Sequence, residues 1–127
     1  MKLRACTPMG YVRSMTEWAS VVETASYLAS AELLMTEDER AAVADAVARD
    51  PQAGDLMSGT GGLRKLRVAL QGRGKRGGGR VIKFFHDSGM PVFLIALYAK
   101  AAQSDLDPRQ RRAAKALTDA IRAQYGR

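Results

Sequence analysis

The spacing of hydrophobic and polar positions changes several times along the chain, and each change marks an element. Val21-Val22-Glu23-Thr24, preceded by Trp18, reads as a short first strand. Tyr27, Leu28, Ala31 and Leu34 then recur at helical spacing and predict a first helix. Thr36, followed three residues later by Glu39, is a capping-box pattern: the hydroxyl accepts an N–H at a helix start while the glutamate reaches back. Glu37, Asp38 and Glu39 in that first turn also suit the helix dipole. Val43, Ala46 and Val47 form the apolar stripe of this second helix, which runs to about Arg49. Asp50-Pro51 stops it, because proline disfavours helical backbone at the residue before it. Gly59-Thr60-Gly61-Gly62 predicts a turn, and from Leu63 to Leu70 the period becomes two. Leu66, Val68 and Leu70 point to one face of this strand, Lys65 and Arg67 to the other. Gly72 to Gly79 reads as a glycine-rich, basic hairpin loop and Arg80 to His86 as the next strand. Asp87-Ser88-Gly89 is a tight turn, and Val92 to Lys100 is the third strand of a meander. Asp107-Pro108 is a cap with proline at the first helical position. The last helix then carries Ala113, Leu117, Ala120 and Ile121 inward, with Arg109, Arg112 and Lys115 outward.

The predicted order is β-α-α-β-β-β-α, an α+β single domain in which two early helices pack on an antiparallel sheet. Residues 1–14 show neither period and contain Pro8 and Gly10. They read as a loose leader, with residues 15–127 as the domain and Met15 as its candidate start. With 46% hydrophobic residues the chain can build a real core. Its longest apolar run, Met90 to Ala99, contains Pro91 and falls short of the roughly 20 residues that span a bilayer. No apolar stretch of the secretory kind follows the first charges. Cys6 is the sole cysteine, and no cluster of Cys and His offers a metal site. These features predict a cytoplasmic protein that needs no cofactor or metal and no membrane.

The net charge of +7 is unevenly spread. Residues 1–62 carry −4, residues 63–100 carry +8 and residues 101–127 carry +3. Eight cations fall between Arg64 and Lys83 with no acid among them. Such a block is the electrostatic footprint of a partner for a polyanion, most simply nucleic acid.

A sheet covered by helices on one side leaves its other face open. Lys65 and Arg67 stand on that face, Arg80 begins the neighbouring strand, and Tyr98 and Lys100 share one face near the end of the third. Paired as a meander, these five side chains converge on one surface, where a phosphodiester relieves the repulsion of like charges. That surface fits transesterification within RNA. The ribose 2′-hydroxyl attacks the adjacent phosphorus, and cations carry the extra charge of the transition state. A lysine crowded by cations titrates low enough to act as a base, and arginine holds phosphate oxygens bidentately. By pattern alone the same face reads equally well as an ordinary solvated one. The loop Gly72-Arg73-Gly74-Lys75-Arg76-Gly77 contains a literal GxGxxG, but a strand follows it rather than a helix, which excludes the dinucleotide reading. Its three cations fit a phosphate clamp or a solubilising hairpin tip. His86 is the only histidine, so a two-histidine nuclease mechanism is excluded.

The run Gly54-Asp-Leu-Met-Ser-Gly-Thr-Gly-Gly-Leu-Arg-Lys-Leu-Arg-Val68, with Gly74-Lys-Arg-Gly-Gly-Gly-Arg-Val-Ile82 and Leu97-Tyr-Ala-Lys100, resembles RelE-like toxins of the RelE/ParE superfamily, and specifically the HigB-type branch. The resemblance spans about Val21 to Tyr125 and is most specific from Gly54 to Phe85. It implies a metal-independent, ribosome-dependent mRNA endonuclease of a type II toxin–antitoxin system. Its partners would be mRNA on the ribosome, ribosomal RNA and a cognate antitoxin, in this branch often a helix-turn-helix protein. Residue by residue it implies catalytic roles for Lys65, Arg67, Arg80, Tyr98 and Lys100. It also implies RNA or ribosome contacts for Arg64, Arg73, Lys75, Arg76 and Lys83. Two alternatives share the composition: a ParE-like toxin acting on DNA gyrase, and a plain RNA-binding module.

Overall fold

A computed structural model of the chain describes residues 3–7, 10–14, 18–70 and 78–127. Its elements, in chain order, are β1 (Leu3–Thr7), β2 (Gly10–Ser14), β3 (Val21–Glu23), α1 (Ala25–Leu34), α2 (Glu37–Arg49), β4 (Asp55–Leu56), β5 (Leu63–Val68), β6 (Gly79–Phe84), β7 (Val92–Ala99) and α3 (Pro108–Gln124). The strands form one sheet in the order β1-β2-β3-β7-β6-β5-β4. From β3 onward this is the expected α+β order, with the two-residue β4 added; a strand that short shows no period in sequence. All neighbours run antiparallel except β3 and β7, which pair in parallel.

The stretch expected to be a loose leader holds β1 and β2, which pair with each other, and β2 pairs with β3. Pro8 and Gly10 signal a break, but the two flanking segments are only five residues each, too short for a period to stand out.

The helix starts follow their caps. Thr36 and Glu39 form both reciprocal bonds of the capping box, and Asp107 and Gln110 form the same pair ahead of Pro108. α1 and α2 lie on one face of the sheet, where Tyr27, Val43 and Val47 pack with Val68, Val81 and Leu94. Arg49 stacks on Trp18 at the margin of this layer, 4.3 Å from the ring centre. α3 covers part of the other face, where Ile121 and Ala114 meet Leu63, Ile82, Phe84 and Phe93. The second face is therefore not wholly open, as the strand pattern suggested, because its lower half carries large apolar side chains that need a cover. The buried residues of α3 are Ala114, Thr118 and Ile121; of the expected inward positions Ile121 is buried and Leu117 packs partly buried against the same cluster, whereas Ala113 and Ala120 are exposed. Alanines line several sides of this helix, so periodicity fixes its rotation poorly. Thr118 enters the core because its hydroxyl donates to the Ala114 carbonyl at 2.7 Å.

β7 contains a bulge. Ile82 opposes Ala96 and Lys83 opposes Leu94, so Ile95 is an extra residue in the ladder. Val92 and Leu94 face the α1/α2 layer, Ile95 and Ala96 both pack toward α3, and Leu97 returns to the first layer.

Two buried charges tie elements together. Glu23, fully buried, accepts from Arg40 Nε at 2.7 Å, joining β3 to α2. Lys83 is also fully buried, and its ammonium donates to the Pro51 carbonyl at 2.5 Å. Lys83 was expected to contact RNA; its side chain is instead beneath the chain that leaves α2. Burial, reinforced by the nearby Arg64 and opposed by Asp50, lowers its pKa to about 8. Between that value and the higher pKa of an unfolded lysine, the unfolded chain binds more protons, so stability rises with pH. We expect the wild type to gain about 2 kcal/mol relative to Lys83→Met between pH 7 and 9.5. Paired urea titrations at the two pH values check this; parallel behaviour of the two proteins would mean Lys83 is not so perturbed.

Candidate active site

β5, β6 and β7 place the candidate residues through their register. Arg67 opposes Arg80, and Arg80 opposes Tyr98, so the three form one row across three strands. Cβ atoms of directly opposed residues stand about 5 Å apart and point to the same face. Lys65 lies two residues along β5 from Arg67, opposite Ile82, on that same face. The row thus sits just beyond the apolar patch that α3 covers.

Each side chain has its own setting. Arg67 is exposed. Arg80 is 7% exposed, and its Nη1 donates to the neighbouring Gly79 carbonyl at 2.9 Å. Tyr98 is buried among the α3-side residues, and its hydroxyl donates to the Ser104 carbonyl at 3.4 Å. Burial, joined by the charge of Asp105, raises the phenol's pKa against the opposing pull of Arg80 and Arg111. Tyr98 is therefore a neutral hydrogen-bond donor near physiological pH. Lys65 is half-buried, with its ammonium 3.5 Å from Asp105 Oδ1.

Asp105 was not among the expected site residues. Its other oxygen accepts from Arg111 Nη2 at 3.2 Å, so one carboxylate bridges a cation of β5 and a cation of α3. Burial works to raise its pKa, but the Leu106 N–H and the charges of Lys65 and Arg111 outweigh it and hold Asp105 ionised. Its place is fixed by the preceding loop: Gln103 Nε2 donates both to the Asp105 carbonyl and to Gln110 Oε1. Asp105 and Arg111 lie some forty residues from Lys65, so no local motif announces them.

The remaining expected positions divide. Lys100 is exposed, just past the end of β7, with its backbone N–H bonded to the Gly78 carbonyl. Arg64 alternates with Lys65, faces the opposite side, and donates to the Gly54 carbonyl at 3.0 Å. Together with Lys83 it is thus removed from the row by strand parity. Arg73, Lys75 and Arg76 lie outside the described residues. His86 pairs with its neighbour Asp87 at 3.0 Å, well outside the row. Among the described residues no group of three or more His, Cys, Asp or Glu side chains is arranged to hold a metal ion. Nor is any helix among them long and apolar enough to cross a membrane.

The family model for the RelE toxin of the RelE / RelB toxin–antitoxin system matches residues 27–125. The chain belongs to the RelE toxin family. The match runs from within α1 to just past α3 and includes every residue of the row, together with Asp105 and Arg111. As a RelE-family member the protein is the toxin of a toxin–antitoxin system, and an antitoxin partner follows from that membership.

Proposed function

We propose that this RelE-family toxin is a ribosome-dependent mRNA endonuclease, of the HigB-type branch, that inhibits translation by cutting messages in the decoding site. The observation that carries this reading is the single-faced row of Arg67, Arg80 and Tyr98 with Lys65 beside it. In this reading the 2′-hydroxyl of the nucleotide before the cut loses its proton to solvent and bonds to phosphorus. The bond from phosphorus to the 5′-oxygen breaks, leaving a 2′,3′-cyclic phosphate and a free 5′-hydroxyl. Arg67 and Arg80 hold the non-bridging oxygens as charge accumulates on them. Lys65, paired with Asp105, supplies positive charge to that phosphate rather than accepting a proton. Tyr98 donates to the departing 5′-oxygen. The exposed Lys100 extends the positive surface at the end of β7.

We further propose that the antitoxin is a helix-turn-helix protein seated on the acidic first turn of α2, at Glu37, Asp38 and Glu39, leaving the row uncovered. The net −4 of residues 1–62 favours a basic partner there.

The test is cleavage of a defined message by purified toxin, mapped by primer extension, with and without translating ribosomes. Cuts within the reading frame only during translation are expected. Equal cutting of naked message, or growth arrest with intact messages and altered DNA supercoiling, would overturn the reading.

A further inference from the structure

Two surface grooves meet at Arg111. One is lined by the acids Asp55 and Asp105, the cations Lys65 and Arg111, and the segment Leu56 to Ser58 between them. The other is lined by Gly59, Thr60, Pro108, Arg111, Arg112 and Lys115. Together they form one channel that starts at Lys65, passes Arg111 and continues along the first turns of α3. Three cations of α3, Arg111, Arg112 and Lys115, stand along it. Arg112 is exposed, and Lys115 is 59% exposed, paired among the described residues with the equally exposed Asp119. Such a solvent-exposed i,i+4 pair is weak and yields readily to a phosphate.

The opposite wall is a built turn. Thr60 Oγ1 donates to the Met57 carbonyl at 2.6 Å and accepts from the Leu63 N–H at 3.2 Å. Gly59, Gly61 and Gly62 all have positive φ, which this turn requires. Arg122 of α3 donates to the Gly61 carbonyl and stacks on Phe84, 4.9 Å from the ring centre, so the turn is fastened to the helix it faces. The channel wall is therefore held by contacts at its far end; Lys65 and Arg111 share Asp105, and Arg112 and Lys115 are the more exposed cations beyond them.

We propose that this channel is a phosphate track: RNA leaving the Lys65–Arg80–Tyr98 row runs past Arg111 and rests its backbone on Arg112 and Lys115. The proposal rests on the endonuclease reading and adds the path of the chain. Spacing supports it, because side chains at 111, 112 and 115 of a helix present one flank, about one turn long, to a passing strand. The shared chemistry is an RNA phosphodiester backbone, which the message or ribosomal RNA can each supply.

The experiment compares wild type with Arg112→Ala/Lys115→Ala, two exposed positions outside the catalytic row. Affinity for a short oligouridylate is measured by fluorescence anisotropy over a salt series, and affinity for vacant ribosomes by pelleting. About tenfold weaker oligonucleotide binding, with a salt slope shallower by about 1.4, is the expected result for two lost phosphate contacts. The same loss on ribosomes alone assigns the track to ribosomal RNA. Unchanged affinity and slope on both probes overturn the track. A wild type that binds neither probe overturns the endonuclease reading itself, so the two failures are distinguishable. As an internal check, Asp119→Asn removes the acid beside Lys115 and should tighten binding; weaker binding would count against the track.

Discussion

Lys65→Ala is expected to lower single-turnover cleavage of ribosome-bound message by about 100- to 1,000-fold, with little change in the concentration of toxin that half-saturates ribosomes. Losing one preorganised charge at a transition state costs this much in a site partly shielded from water. Binding should persist because Arg67, Arg80 and the α3 cations remain. The fold should also persist, since the Lys65–Asp105 contact joins two partly exposed groups and such pairs contribute little to stability. Lys65 is therefore a better probe than Arg80, whose buried guanidinium makes any truncation there a packing change as well. Asp105→Asn should fall between wild type and Lys65→Ala, because the lysine keeps its charge and loses its tether. A folded Lys65→Ala protein that cuts at the wild-type rate would place the chemistry elsewhere.

Arg40→Ala should have the largest effect on stability, a loss of about 3–5 kcal/mol. Glu23 is fully buried at the end of β3, and the guanidinium that faces it is itself only 12% exposed. Burial works to lower the pKa of Arg40, yet its bond to Glu23 prevails and the value is raised, a sign of strong mutual attachment. Removing the cation leaves a carboxylate out of water without its main counter-charge. In Glu23→Gln/Arg40→Met, which removes both charges, most of the loss should be recovered. Urea denaturation of the three proteins at neutral pH checks both statements. A single variant within 1 kcal/mol of wild type would mean that Glu23 is sufficiently held by its other contacts.

The parts of the fold that were legible in sequence are those written in local chemistry. Thr36 with Glu39, and Asp107 with Pro108, announce helix starts because caps act within four residues. The alternation from Leu63 to Leu70 places Lys65 and Arg67 on the correct face for the same reason. Lys83 shows how the block of charge misleads: its cation belongs to the density of the basic stretch, but its parity belongs with Val81, on the face beneath the helices. Alternation from Arg80 was the signal that would have separated it. The same holds for Arg64 beside Lys65. Asp105 and Arg111 were beyond reach, since only the return of the chain after β7 brings them to β5. β1 and β2 were missed because each has only five residues, and Pro8 between them and Gly10 at the start of β2 signalled only a break.

The bulge at Ile95 sets which face of the sheet Tyr98 occupies. Counting by twos from Val92 and Leu94, position 98 would belong beneath α1 and α2; the extra residue reverses that count and delivers Tyr98 to Arg80. The two ends of β7 therefore obey opposite alternation rules, joined by a single residue outside the ladder. Deleting Ala96 would remove the extra residue itself: Ile95 would then oppose Ile82, and Leu97 and Tyr98 would keep their places opposite Val81 and Arg80. Among otherwise similar sequences, a one-residue gap at this point is thus compatible with an aromatic side chain opposite Arg80.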